Sequence, residues 1–408
     1  MLPIVRGKIS HTFRDDLKML LKCFFLRIND KKVITDFENI LAAQIGQTEC
    51  VTFSHARTAL YFTLKSLDLK PGDHILMPSI TIKAILDVVL DLKLRPVFVD
   101  SDLKTACFDL NSLRNQIIKF NPRVCLLTYL FGLMPDMDSI IHELKKGDIF
   151  IIEDFSQALN ASYKGTNAGL FGSVSIYSAS TVKTLDTYGG GLAFTSDIKL
   201  INSLRHYQLS LANIPRIKLI QKVLVSFFKN IITSRYVFSL GLFQILKYLN
   251  FRQNKKFDRF VGLRSVSPIT KLPKDWFFSY TSVQAAVGLK FLKRIEANDS
   301  SRINFAQTLI SKASNIKILS GGYESRSVFW QLIALPEAHN NFRKFLYLNK
   351  IDSAYTSLIE ISQLPTYQIQ SSTPNADYIY NNAVYLPCYA SLNSNERAHI
   401  INTLKKFT

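Results

Sequence analysis

The stretch "YSASTVKTLDTYGGG", Tyr177 to Gly191, sets one lysine among small hydroxylated residues and ends in three consecutive glycines. A phosphate-cradling P-loop has the reverse order, because its glycines must wrap the phosphates before the lysine opens the following helix. Asp154 and Gln157 follow the apolar run "IFII", and Ala56, Arg57 and Thr58 follow "CVTF" and a tight turn. These are the parts that pyridoxal phosphate demands. Its aldehyde needs a lysine for the Schiff base, its ring nitrogen a carboxylate, and its phosphate the amides of a helix N-terminus with hydroxyl or basic side chains. On this reading Lys183 holds the aldehyde carbon, Asp154 faces the pyridine nitrogen, and Gln157 makes a contact one helical turn on. Ser178 and the amides around Ala56, Arg57 and Thr58 take the phosphate, and Gly189 to Gly191 let the backbone turn tightly into "LAFTS". Each residue alone has a plainer use, with Asp154, Ser178 and Thr58 as helix caps and Lys183 and Arg57 as surface charges. Their joint ordering along the chain carries the reading.

The elements around them alternate. "CVTFSHARTALYFTLKSLDLKPGDHILMP" reads strand, turn, helix, turn, strand, and "SITIKAILDVVLDLKLRPVFVDSD" and "PRVCLLTYLFGLMPDMDSIIHELKKGDIFIIEDFS" repeat the pattern. Short, continuously apolar strands between helices predict a large, mainly parallel sheet with helices on both faces. In such sheets ligands sit beyond the carboxyl ends of the strands, where Ser54 to Thr58, Thr81, Phe131, Gly132, Asp154, Gln157, Ser178 and Lys183 all fall. "VITDFENILAAQIG" has helical apolar spacing at Ile34, Phe37, Ile40 and Leu41. The expected divisions are an N-terminal helical segment over 1–45, a large cofactor-binding α/β domain over 46–204 and a basic insert over 205–275. A long helix over 276–297 and a smaller C-terminal α/β domain complete 276–408.

Composition narrows the class. Of 408 residues 47% are hydrophobic, and 16 Gly and 13 Pro in no periodic pattern exclude collagen-like and disordered chains. The N-terminus shows no apolar run of the secretory kind. Five scattered cysteines with no CxxC pair indicate reduced, buried thiols in a cytoplasmic setting rather than a disulfide frame or a metal site. Of the net charge of +19, +11 falls between Lys199 and Phe257, a span with no Asp or Glu. The basic excess is therefore local, and without a nucleic-acid motif it does not describe a nucleic-acid-binding surface.

The run from Phe150 to Asp197, "FIIEDFSQALNASYKGTNAGLFGSVSIYSASTVKTLDTYGGGLAFTSD", resembles the core signature of the DegT-type (DegT/DnrJ/StrS) sugar aminotransferases, fold type I pyridoxal phosphate enzymes. Four marks carry the resemblance: Asp154 with Gln157, the Tyr163 to Gly165 turn, the Gly169 to Gly172 turn, and Ser178 five residues before Lys183. It extends through "ARTALYFTLKSLDLKPGDHILMPSIT", "RPVFVDSD", "FGLMPDMDSI", "SVQAAVGLKFLKRI" and "VYLPCYASLNSNERAHIINTLKK". The resemblance implies a homodimer with its active site at the subunit interface. It also implies transfer of an amino group, with glutamate as donor, to a keto group on a nucleotide-linked sugar in surface polysaccharide or lipopolysaccharide synthesis. Three departures stand out. Ala56 and Arg57 replace the family's common Gly-Thr, Ile82 replaces an aromatic that stacks on the cofactor ring, and Phe277, Phe278 and Ser279 replace the Asn-Tyr-Arg before "QAA". They leave open a rival reading, a catalytically altered relative that acts as scaffold or regulator.

The insert has a basic amphipathic pattern. "RIKLIQKVLVSFFKNII" places Ile217, Ile220, Leu224, Phe227 and Ile231 on one helical face and Lys218, Lys222 and Lys229 on another. The longest uncharged run, Tyr236 to Leu246, is eleven residues and too short to span a bilayer. Residues 214–256 are expected either to lie on anionic lipid at the inner face of the cytoplasmic membrane or to pack on the protein's own core or dimer partner.

Overall fold

The computed structural model describes residues 1–251, 271–356, 358–362 and 372–407, so residues 252–270 of the expected insert lie outside it. Seven strands form the main sheet: β1 (Glu49–Phe53), β2 (His74–Pro78), β3 (Arg95–Val99), β4 (Val124–Thr128), β5 (Phe150–Asp154), β6 (Val174–Ser178) and β7 (Gly191–Thr195). Their spatial order is β1-β7-β6-β5-β4-β2-β3, and only β7 runs antiparallel to its neighbours. Successive side chains leave a strand on opposite faces, and here both faces are buried. Val124 and Leu126 of β4 join one core cluster with α3 (Ala56–Ser66), α4 (Lys83–Asp91) and α7 (Ile198–Ser210). Cys125 and Leu127 join the other, with α2 (Lys31–Ile45), α5 (Leu110–Phe120), α6 (Met137–Lys146) and the long α9 (Ser282–Lys312). The expected sheet sandwiched by helices is observed, and all five cysteines are free and buried. A smaller antiparallel sheet, with Val384–Leu386 between Leu332–Ala334 and Ala354–Tyr355, forms the C-terminal α/β region.

Three sequence expectations need correction. In α2 the buried line runs Phe37, Glu38, Leu41, while Ile40 is exposed. Glu38 turns inward because it accepts from Thr52 N and Oγ1 of β1 at 2.8 and 2.7 Å, and pairs with Arg205 of α7. The long helix starts at Ser282, not at residue 276, because Thr281 and Gln284 form a reciprocal capping box after a 3₁₀ turn over Lys274–Trp276. In α8 (Arg216–Ile232) the buried residues are Leu219, Val223 and Ser226, a line turned from the predicted apolar face. This helix packs along α1 (Phe13–Phe25). Lys222 is consequently half-buried rather than on an outer basic face, and Ile217, Val225 and Phe228 are exposed. No helix among the described residues is long and apolar enough to cross a membrane.

β5 ends in two adjacent carboxylates. Glu153 is fully buried and accepts from Tyr129 Oη at 2.5 Å and from the amides of Gly169, Phe171 and Gly172 at 2.8, 2.7 and 2.6 Å. Burial pushes its carboxyl above the usual range, opposed by these four donors. The "G-L-F-G" turn is thus folded around a carboxylate, and Gly172 is needed because a Cβ there would lie 2.7 Å from Ile151 O. Replacing Glu153 by Ala leaves three buried amides unpaired. The expected cost is about 3 kcal/mol or more, read as a lowered urea midpoint with unchanged slope.

Candidate active site

Lys183 stands on a loop between β6 and β7 that buried side chains hold rigidly. Asp186 accepts from Val182 N at 3.1 Å and Tyr188 N at 2.8 Å, and His11 Nε2 approaches it at 3.0 Å. These bonds fix Val182 at φ 77°, a left-handed conformation that a β-branched residue adopts only under constraint. Tyr188 Oη donates to Asp16 of α1 at 2.7 Å, and Asp16 also accepts from Asn230 of α8 at 2.6 Å. The loop, α1 and α8 therefore form one braced unit. Lys183 Nζ lies 3.9 Å from the centre of the Trp330 ring, whose Nε1 donates to Val182 O at 2.9 Å. Burial pushes the Lys183 amine down to about 8, partly offset by the Asp154 carboxylate.

Asp154 ends β5, beside β6. Its Oδ1 accepts from Ser156 N at 3.0 Å, and burial raises its carboxyl above the ordinary range against the opposing pull of Ser156 and Lys183. The structure thus brings Lys183 and Asp154 into electrostatic contact. Gln157 Oε1 accepts from Phe131 N at 2.6 Å, with Phe131 at φ 60°. At the next residue a Cβ on Gly132 would sit 2.5 Å from Trp330 N, so glycine is what lets residues 328–331 dock here. Val328 N and Gln331 N donate to Gly132 O and Phe131 O at 2.8 and 3.1 Å, which carries Trp330 over Lys183.

The residues expected at the phosphate stand where α3 begins. His55 bridges to Gly190, Gly191 pairs with Ser178, and a Cβ on Gly191 would lie 2.0 Å from His55 C. Gly189 and Gly190 have φ of 115° and 136°, so the triplet makes the tight turn expected of it. Ser178 Oγ donates to Ser180 Oγ at 3.0 Å. His55 gives α3 no side-chain cap, which directs the first-turn amides of Ala56 and Arg57 outward from the N-terminus. The Thr58 hydroxyl is turned away and donates to Trp276 O at 2.6 Å, so Thr58 braces the turn. Arg57 lies over the Trp276 ring, 4.2 Å from its centre, and lines a cavity of about 300 Å³ with Lys218 and Lys222 of α8. Ile82, the N-cap of α4, is 46% exposed. A lysine with a lowered amine, a buried carboxylate beside it and a basic cavity at an uncapped helix start fit a phosphorylated aromatic aldehyde. Trp276, Trp330, Asp186 and Lys222 were not singled out as site residues from the sequence. Trp276, Trp330 and Lys222 reach the site through contacts spanning tens of residues or through the facing of a helix, whereas Asp186 is bonded locally to Val182 and Tyr188.

The DegT/DnrJ/EryC1/StrS aminotransferase family matches residues 13–216 and 278–405. GDP-perosamine synthase of Escherichia coli O157:H7 is 30% identical over 175 residues, 43% of this chain and 48% of that protein. UDP-2-acetamido-2-deoxy-3-oxo-D-glucuronate aminotransferase of Pseudomonas aeruginosa is 32% identical over 173 residues, 42% of this chain and 48% of that protein. The chain thus spans about half the length of the curated relatives it matches. The crystal structure of the sugar aminotransferase CalS13 from Micromonospora echinospora superposes with a TM-score of 0.75 at 18% identity, covering all of both chains, which supports the fold type I architecture. Lys218, Lys222 and Trp276 lie between the two matched segments. With four fifths of its length matched, the chain belongs to the DegT/DnrJ/EryC1/StrS aminotransferase family.

Proposed function

We propose that the chain is a pyridoxal phosphate-dependent aminotransferase that moves an amino group from glutamate to a keto group on a nucleotide-linked sugar in surface polysaccharide or lipopolysaccharide synthesis. The observation that carries this is Lys183, an amine lowered to about 8 by burial, set against Asp154 on a loop held in a strained conformation. Bound pyridoxal phosphate supplies an electron sink for the carbon that exchanges its amino group. Lys183 would hold the aldehyde carbon and, as a free amine, would move the proton at the carbon that exchanges its amino group. Asp154 would keep the ring nitrogen protonated, and Gln157, whose Oε1 accepts from Phe131 N, would make its contact with the cofactor beside it. Ser178 and the amides around Ala56, Arg57 and Thr58 would take the phosphate, with the Thr58 hydroxyl bracing the turn on Trp276 O, and Ile82 would pack on the ring face without the stacking an aromatic adds. The chain acts as a homodimer whose site is completed at the interface. The divisions at 1–45, 46–204, 205–275 and 276–408 belong to the same proposal.

The N-terminal helix and the insert bear on location. Phe13, Leu17, Leu21, Phe24 and Phe25 of α1 and Val225 and Phe228 of α8 are exposed, with Lys18, Lys22 and Lys229 on the same two helices. This surface is the basis for a peripheral contact with anionic lipid at the cytoplasmic membrane, where lipid-linked glycans are assembled. Of residues 214–256, those from 252 onward lie outside the described residues.

Borohydride fixation of pyridoxal phosphate should label Lys183 and no other lysine, as mapped by mass spectrometry. Lys183→Ala should abolish both label and turnover; label elsewhere, or full activity, would leave the scaffold reading. Because only the neutral amine attacks, the capture rate should rise with pH through about 8 rather than near 10.5. Asp154 favours the charged amine, so Asp154→Asn should move that midpoint to lower pH; a midpoint that stays put or rises contradicts the pairing.

Full-length protein should float with vesicles containing anionic lipid and not with neutral ones. Phe24→Glu with Phe25→Glu should abolish flotation. Absence of flotation in the unaltered protein, or flotation indifferent to the substitutions, rules out the membrane contact.

A further inference from the structure

The cavity at the start of α3 gathers more positive charge than the fold requires. Arg57 comes from α3, Lys218 and Lys222 from α8, and the acid among its lining residues, Asp275, is already paired with Lys218. Lys222 has no ion-pair or hydrogen-bond partner among the described residues, although it is half-buried. A Cβ on Gly189 would lie 3.0 Å from Lys222 Nζ, so the amine rests against the glycine turn behind Ser178 and Lys183. Burial and Arg57, with a smaller push from Lys218 and against the opposing pull of Asp275, lower that amine to about 8. Holding clustered cations in a half-buried cavity opposes folding unless an anion enters to compensate them. A chain that needed α8 only for packing would gain by an apolar residue at this position.

We propose that this cavity is a phosphate-binding subsite, with Lys222 and Lys218 of α8 joining Arg57 and the α3 amides around one phosphate group from within the same chain. The identity of that group rests on the reading under Proposed function. The cofactor's phosphate is one source, favoured because His55 bridges Gly190 and Gly191 pairs with Ser178; the diphosphate of a nucleotide-linked sugar is the other. The subsite also accounts for Phe277 to Ser279, where the resemblance leads one to expect Asn-Tyr-Arg. Phe277 packs at 5.2 Å on Tyr61 and Phe278 lines the cavity, so this segment brings no charge there while α8 supplies it.

The chain contains two tryptophans, Trp276 under Arg57 and Trp330 under Lys183, so fluorescence excited at the red edge, beyond the absorption of the 17 tyrosines, reports on these two places. Cofactor-free, full-length protein would be titrated with inorganic phosphate, inorganic pyrophosphate, pyridoxal phosphate and pyridoxal. Lys222→Met should weaken inorganic phosphate and pyridoxal phosphate by about 10- to 100-fold, leave pyridoxal unchanged, and be largely rescued by Lys222→Arg. Lys218→Met should act in the same direction by a smaller factor and guards against a folding defect in the first variant. Weakening confined to pyrophosphate, with pyridoxal phosphate unaffected, assigns the subsite to the substrate's diphosphate. Unaltered protein that binds inorganic phosphate through Lys222 but takes up no pyridoxal phosphate retains the subsite and removes the proposed function. Equal affinities in the unaltered protein and both variants, or no phosphate or pyrophosphate binding at all, would falsify the subsite.

Discussion

Neighbouring side chains on a strand face opposite ways, so Glu153 and Asp154 at the end of β5 cannot share one environment. The first points into the layer where the Gly169 to Gly172 turn wraps it with three amides, and Tyr129 closes the shell. The second is left at the strand's end, in electrostatic contact with Lys183. Fixing the buried carboxylate therefore fixes its neighbour Asp154. A buried, fully hydrogen-bonded acid is a costly way to hold a turn, but it sets the register of β5 against β4 and β6, and with it the carboxyl edge of the sheet. Everything at the site hangs from that edge.

The lysine loop obeys a related constraint. A lysine with a depressed amine must be buried, yet a loop is the least buried kind of segment. Asp186 resolves the conflict by replacing solvent for Val182 and Tyr188 amides, and His11 and Asp16 extend the brace to the N-terminal residues. The strained Val182 is a consequence of this over-determination. Because Asp16 also accepts from Asn230, α8 is tied to the same loop and cannot move as a free lipid-seeking helix. Whatever its outer face meets, its inner face is held against α1, which braces the Lys183 loop.

Strand ends were legible in the sequence because they obey local rules. Apolar runs of five residues, a Pro-Gly-Asp turn and a glycine triplet mark them without reference to anything distant. Ser178, Lys183 and Asp154 were singled out in that way. Gln157 was singled out with them, but its bond to Phe131 N was not, since nothing local says that Phe131 requires a brace. Trp330 reaches Lys183 only because residues 328–331 dock on Gly132, almost two hundred residues upstream in the chain. Helix facing was the other weak point. In α2 and in α8 the apolar stripe is wide enough to admit several rotations, and a partner chosen by tertiary structure decided among them: the Glu38 network in one case and α1 in the other.

That ambiguity in α8 has a chemical meaning. Read as a surface helix, its lysines are solvated charges at about their ordinary strength. In the fold, Lys222 instead faces Arg57 across a cavity, and both positions differ from a helix that merely covers apolar surface. The departures noted in the sequence then cease to be independent. Arg57 in place of a small hydroxylated residue, aromatic residues in place of Asn-Tyr-Arg, and a basic helix between the family-matched segments all concern the same few ångströms around the start of α3. Under the proposed subsite, the charge absent from residues 277–279 is supplied by Lys218 and Lys222 of α8 within the same chain.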